Sequence, residues 1–391
     1  MTESREERRP RDRRLADIGK DGESLLRDVL AHPDDDEPRL VYADYLLSRG
    51  DPRGEFIVVQ CKLARLTEGD PEFEVLDARA TALLEKHQST WVQPFMGDRY
   101  TMELAGRKWT RTTPSRWDFH RGFVHTATVS AEAFPLLAAG LFSREPVRRV
   151  HLTNHGLGRV LNNVKGLREL DLSNMRLKDE ARALFACENF EALEVLELRK
   201  CGLGVKGARA MALAKPERWP RLRHLGLGEN ALGDAALTEL SRAPLLSAVR
   251  SLELSREAFT AKGWSALVKS PYLSDLEALD VNAADLGAAC GEALAASGLT
   301  RTLTTLSLRF VRLADGGLAA LVAADFPALR VLRLPANQLT DRAVDLLRGG
   351  WVERLEVLDV SENDPTSHWD NALSDGALDV LRRRFGARLV T

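Results

Sequence analysis

Few stretches of this chain have the residue types and spacing to do chemistry. Gly202-Leu203-Gly204-Val205-Lys206-Gly207 matches G-x-G-x-x-G, where glycines free backbone amides to cradle a phosphate at a helix start. It does fall between an expected strand and an expected helix. Equivalent loops elsewhere hold unrelated residues, however, and no βαβ nucleotide-binding unit fits around it. His151 and His155 stand four apart on an expected strand and turn, with no third ligand at metal spacing. The four cysteines, Cys61, Cys187, Cys201 and Cys290, form no CxxC pair. They point to a reducing compartment rather than a disulfide framework. GxSxG, HExxH and P-loop sequences do not occur. The sequence therefore points to no catalytic residue, cofactor or metal.

A second set of residues is charged and recurs at regular spacing. Glu169, Asp171, Glu197, Arg199, Glu253, Asp280 and Asn282, then Arg309, Arg333 and Asp359, take the outward positions of short alternating segments. Such a face is acidic at its centre and more basic on one flank. It suits a basic or bipolar protein partner. The plainer alternative is a solvated strand face that charge keeps from aggregating.

The elements that position these residues come from one recurring frame. At Leu329–Leu339 the chain reads L-R-V-L-R-L-P-A-N-Q-L, with apolar residues at positions 1, 4, 6 and 11 and Asn337 at 9. The first position recurs at Val147, Leu167, Leu193, Leu222, Val249, Leu276, Leu303, Leu329 and Leu355. This frame resembles the leucine-rich repeat, L-x-x-L-x-L-x-x-N/C-x-L. Positions 3 to 7 alternate and predict a strand; helical runs such as Asp234–Arg242, Ala261–Lys269 and Asp341–Arg348 follow, with Asp234 and Asp341 as expected N-caps. One unit cannot bury its apolar face alone, whereas stacked units can. The expected fold is an α/β solenoid, with a curved parallel strand ladder inside and helices outside. Repeat length suggests the ribonuclease-inhibitor-like subclass. Position 9 reads His155, Met175, Cys201, Asn230, Glu257, Ala284, Val311, Asn337 and Asn363. Only Cys201 and the asparagines fit the consensus, which makes Cys201 structural and predicts buried waters or altered turns near Ala284 and Val311.

Residues 1–20 read as a charged, disordered leader rich in arginine. Residues 21–95 predict a small all-helical domain with helices around Leu25–Leu30, Leu40–Leu47, Phe56–Leu66 and Glu72–Trp91. The string L-L-R-D-V-L-A-H-P-D-D-D-E-P-R-L-V-Y-A-D-Y-L, then D-P-R-G-E-F-I-V-V-Q, resembles the bacterial repeat-companion domain. That resemblance implies a bacterial source and a pairing with leucine-rich repeats, but no activity. Asp51 is placed to cap the third helix, and Gly54 to allow close helix approach. Tyr42, Asp44, Arg53 and Glu55 are either a second partner-binding surface or a buried lock for the helical hairpin. Residues 96–146 read as a linker and capping unit, anchored by Trp109 and Trp117, with strands around Arg121-Gly122 and a helix over Ala131–Phe142. Residues 147–391 are the solenoid, closed by a helix at Asp375–Arg384 and a short strand near Leu389.

Net charge of −2 argues against a broadly basic nucleic-acid binder. No apolar run is long enough for a membrane span, and the charged N-terminus lacks a secretory core. The function expected is a non-enzymatic cytoplasmic scaffold binding a protein on the concave face. The alternative is a regulator of a small GTPase, with Arg199 or Arg309 assisting phosphoryl transfer.

Overall fold

The computed structural model describes residues 20–391 except 68, 96–99, 105–106, 112–114, 155, 165, 178 and 362–369. The leader, His155 and Asn363 thus lie outside the described residues, as does the side chain of Trp109. The chain divides into two compact units, Met1–Val150 and His151–Thr391.

The first unit begins with α1 (Lys20–Ala31), α2 (Asp36–Ser48), α3 (Pro52–Leu63) and α4 (Phe73–Val92). Asp51 caps α3 by accepting from Arg53 N at 2.9 Å, with Pro52 at the first helical position. A Cβ on Gly54 would lie 2.5 Å from the Ala43 carbonyl oxygen, so only glycine lets α3 cross α2 this closely. Strands β1 (Tyr100–Leu104) and β2 (Arg107–Arg111) pair antiparallel. The sequence shows no period there, so this hairpin was not legible. A second hairpin, β3 (Arg116–His120) and β4 (Phe123–Ser130), turns at Arg121-Gly122 and leads to α5 (Phe134–Phe142). Trp117 is buried against Phe95, with ring centroids 5.1 Å apart. Ile57 and Phe123 share one core cluster with Val29 and Tyr42. Residues 21–95 and 96–146 are therefore joined by common packing within the first unit.

The second unit is a ladder. Its strands are β5 (Arg149–Thr153), β6 (Glu169–Asp171), β7 (Val195–Glu197), β8 (His224–Gly226), β9 (Ser251–Glu253), β10 (Ala278–Asn282), β11 (Thr305–Arg309), β12 (Val331–Arg333), β13 (Val357–Asp359) and β14 (Leu389–Val390). From β6 to β14 neighbours pair in chain order, all parallel. Position 4 stacks in register as Leu170, Leu196, Leu225, Leu252, Leu279, Leu306, Leu332 and Leu358, each 2% exposed or less. The other side carries α6 (Ala181–Ala186), α7 (Gly204–Ala212), α8 (Asp234–Leu240), α9 (Ala261–Val268), α10 (Ala289–Ala295), α11 (Ala314–Ala323), α12 (Arg342–Leu346) and α13 (Asp375–Phe385). Strands pack about 4.8 Å apart but helices about 8–10 Å apart, so the stack bends with its strands on the inner side.

Asp234 and Asp341 do not cap their own helices. The Asp234 carboxylate accepts from Thr260 N and Thr260 Oγ1, both at 2.7 Å, at the start of α9 in the next repeat. Asp341 takes Ser374 N and Oγ at 2.8 Å in the same way, and Asp315 takes Thr340. Each such aspartate clamps two successive helix starts together.

Position 9 forms a partial ladder of buried side chains. Asn230 Oδ1 accepts from Cys201 N (2.9 Å) and Leu203 N (3.2 Å), while Nδ2 donates to Leu198 O (2.7 Å) and Leu227 O (2.6 Å). Asn337 does the same for Val311 N and Leu313 N. Cys201 bonds the Leu172 carbonyl through its thiol at 3.1 Å and burial pushes that thiol up to about 12, which fits a structural role. In the last repeat the rung is Asn371, which accepts from Asn337 N (3.0 Å) and Leu339 N (3.1 Å). Glu257 replaces asparagine and accepts from Asn230 N and Leu232 N. Ala284 has no polar side chain, and its turn instead closes by Leu286 N donating to Ala284 O at 2.9 Å. Val311 likewise contributes no side-chain rung to its neighbour.

Candidate functional site

The inner strand face is built from positions 3, 5 and 7. The register sets position 5 in one row: Asp171, Glu197, Gly226, Glu253, Asp280, Ser307, Arg333 and Asp359. The row brings together Asp171, Glu197, Glu253, Asp280 and Arg333. Glu169 lies at position 3, and Arg199, Asn282 and Arg309 at position 7, on the same side.

Most of the acids are occupied within the face. Asp171 Oδ2 meets His151 Nδ1 at 2.7 Å, and Oδ1 accepts from Ser173 N at 2.9 Å. Donating to the Asp171 carboxylate raises the His151 pKa. Burial would lift Asp171, but the bonds from His151 and Ser173 outweigh it and hold it below its ordinary value. Glu197 Oε1 lies 2.9 Å from His224 Nε2, and His224 Nδ1 lies 2.9 Å from Ser251 Oγ. The Glu197 carboxylate folds over Gly226: a Cβ there would be 1.9 Å from Oε2, so glycine keeps that lane open. Glu253 accepts from Gly228 N (3.1 Å) and Ser255 N (3.0 Å). Asn282 Oδ1 accepts from Arg309 N at 3.2 Å, and Arg199 pairs with Glu229 at 2.5 Å.

Asp280 differs. Its Oδ1 is buried and has no hydrogen-bond partner. Burial and then Glu253 push its pKa up to about 6, against the pull of Arg333 and Arg309. Leaving such an oxygen unmet costs on the order of 1–3 kcal/mol. Arg333, two strands away, is exposed and has no carboxylate within 4 Å among the described residues.

His224, Ser251, Gly226 and Ser307 are parts of this face that residue chemistry alone did not single out. The repeat frame was the available signal, since it assigns all four to positions 3 or 5. The glycine-rich loop is explained by the same frame. The amides of Cys201 and Leu203 go to Asn230 Oδ1, that of Gly204 to Asn230 O and that of Gly207 to Leu203 O, so these four donors are used inside the solenoid. On the strand-entry side, Arg250 pairs with Asp275 at 3.1 Å beside an open cleft of about 440 Å³. Opposite charges line that cleft together and favour no ligand chemistry.

The second proposed surface, on the first unit, comes apart in the structure. Tyr42 is 4% exposed and stacks on Phe123 at 6.0 Å, so it belongs to the core. Arg53 Nη2 bonds both Glu145 oxygens at 2.8 and 2.7 Å and lies over the Phe123 ring. Glu145 is 2% exposed and also accepts from Val124 N. Both residues are lock rather than surface. Asp44 is exposed, and Glu55 pairs with Arg79 at 2.6 Å at the surface.

Fold and face together define a leucine-rich α/β repeat solenoid preceded by a helical N-terminal region. No protein-family model matches the chain, and no curated protein does. Among solved structures, a yeast chain titled "Crystal structure of Rad7 and Elc1 complex in yeast" is similar with 17% identity and a TM-score of 0.43. The match covers 62% of this chain and 64% of that one, under two thirds of its length. No helix among the described residues is long and apolar enough to cross a membrane.

Proposed function

We propose that this chain is a non-enzymatic protein-interaction scaffold that docks a basic or bipolar protein partner on the inner strand face. The observation that carries this is the in-register row from Asp171 to Asp359, with Asp171, Glu197, Glu253 and Asp359 held by neighbours and small residues between the charges. Charges already held in place lose little freedom on docking, so more of the contact energy survives as affinity. Charge pattern then selects the partner and speeds encounter. The reading includes the bacterial repeat-companion assignment of the N-terminal module, supported by its sequence motif, and a cytoplasmic setting, supported by the four free cysteines. It needs no cofactor, nucleic acid or membrane.

The test is affinity capture with the full chain, followed by mass spectrometry. The Glu197→Arg/Asp280→Arg variant should lose the captured partner. A helix-side control, Arg209→Glu, should keep it. Capture that survives the inner-face reversal overturns the proposal.

A further inference from the structure

This inference rests on the scaffold reading and says what the partner presents. Three neighbouring strands supply its parts. Asp280 on β10, Ser307 on β11 and Arg333 on β12 are direct register partners. Adjacent strands lie about 4.8 Å apart, so Asp280 and Arg333 are separated by about 10 Å. No ion pair joins them, and the buried Asp280 Oδ1 lacks any hydrogen-bond partner. Among the inner-face carboxylates, Asp171, Glu197 and Glu253 already serve His151, His224 and the Gly228 amide. Ser307 between the two charges is small and 8% exposed, so it leaves a dip with a hydroxyl at its floor. A face of uniform charge would favour any opposite polyion. This one instead offers, among the described residues, an acceptor without a hydrogen-bond partner and a guanidinium without an ion-pair partner, on backbones about 10 Å apart.

We propose that Asp280, Ser307 and Arg333 form a dipolar docking slot for an extended protein segment that presents a basic side chain and, about 10 Å away, an acidic one. The basic group meets Asp280, with Glu253 adding to the field. The acidic group meets Arg333. A segment in extended polyproline II conformation advances about 3.1 Å per residue with three residues per turn, so two side chains with two residues between them face the same side about 9 Å apart and span the slot. A partner cation beside the half-buried carboxylate favours its charged form, and among the inner-face acids that gain is largest where no neighbour already does so.

Four short synthetic peptides test it against the full chain by NMR titration. They share an extended, otherwise uncharged background and carry Lys and Glu with two residues between them, Lys and Gln, Gln and Glu, or two Gln, each in both orders. The mixed peptide should bind tightest, on the order of tenfold over either singly charged one. Asp280→Asn should reduce it to the level of the glutamate-only peptide, and Arg333→Gln to that of the lysine-only peptide. Asp280 is faced by Glu253 from β9, Arg309 from β11 and Arg333 from β12, and titrates near 6 in the free chain. Binding of the lysine-bearing peptides should therefore weaken as pH falls through about 6, and binding of the glutamate-only peptide should not. The inference falls if no peptide binds, if the lysine-only peptide equals the mixed one, or if Asp280→Asn changes nothing. If it falls while inner-face reversal still abolishes partner capture, the scaffold reading stands alone. If reversal also leaves capture intact, both fall.

Discussion

Position 8 of the repeats shows how one residue can carry hidden strain. Asn154, Asn174, Lys200, Glu229, Arg256, Ala283, Phe310 and Ala336 all take positive φ, between 52° and 68°. Asparagine tolerates that conformation, while alanine and phenylalanine pay about 1–2 kcal/mol for it. Replacing exposed Ala283 with Asn should raise stability by about 1 kcal/mol in urea denaturation, with m unchanged. Glu257 gives a pH-dependent counterpart. Burial lifts its pKa to about 7, against the two amides it accepts from and with Glu253 and Glu229 nearby. The fold favours its protonated form. Its contribution is intact below about 4.5 and is lost as pH rises through about 7, by roughly 2–4 kcal/mol. Glu257→Gln should therefore show a smaller stability loss between pH 5 and pH 8 than the parent chain in parallel denaturation curves.

At the scale of elements, the structure is held by links between neighbours rather than within them. The Asp234–Thr260 clamp ties α8 to α9, and its burial is slight, so a cap-sized effect is appropriate. Thr260→Ala should cost about 1 kcal/mol and speed hydrogen exchange at Lys262 N, which the Thr260 hydroxyl otherwise caps. The Arg53–Glu145 pair is the stronger case. Burial raises the Glu145 pKa while Arg53 opposes it. Arg53→Ala would strand a buried carboxylate and should destabilise the first unit by about 3–5 kcal/mol, seen as an early thermal transition. A fall of under about 1 kcal/mol would show that the pair does not lock α3 to the segment around Glu145.

For the molecule as a whole, the scaffold proposal makes affinity depend on charge displayed along a preformed face. Exposed charges are screened over about 8 Å at physiological ionic strength. Partner capture should weaken steeply between low and high salt, mainly through slower association in surface plasmon resonance. Salt-independent binding would point to an apolar contact elsewhere.

The sequence alone determined the periodic part of this protein. Leucines at positions 4 and 6 are chemically uniform and repeat, so their burial, the strand ladder and the face on which Asp280 and Arg333 stand could all be read from spacing. The cap at Asp51 and the close approach at Gly54 are local enough to read as well. Only the tertiary structure decided what depends on residues distant in the chain. Asp234 reaches Thr260 rather than its own helix, Arg53 reaches Glu145, and Asn371 takes the last rung because extra residues precede it. Position 8 strain stayed hidden because the residues there share a conformation and no chemistry. Which inner-face charges remain unmet was decided last, since it follows from the neighbouring strands and not from any repeat taken by itself.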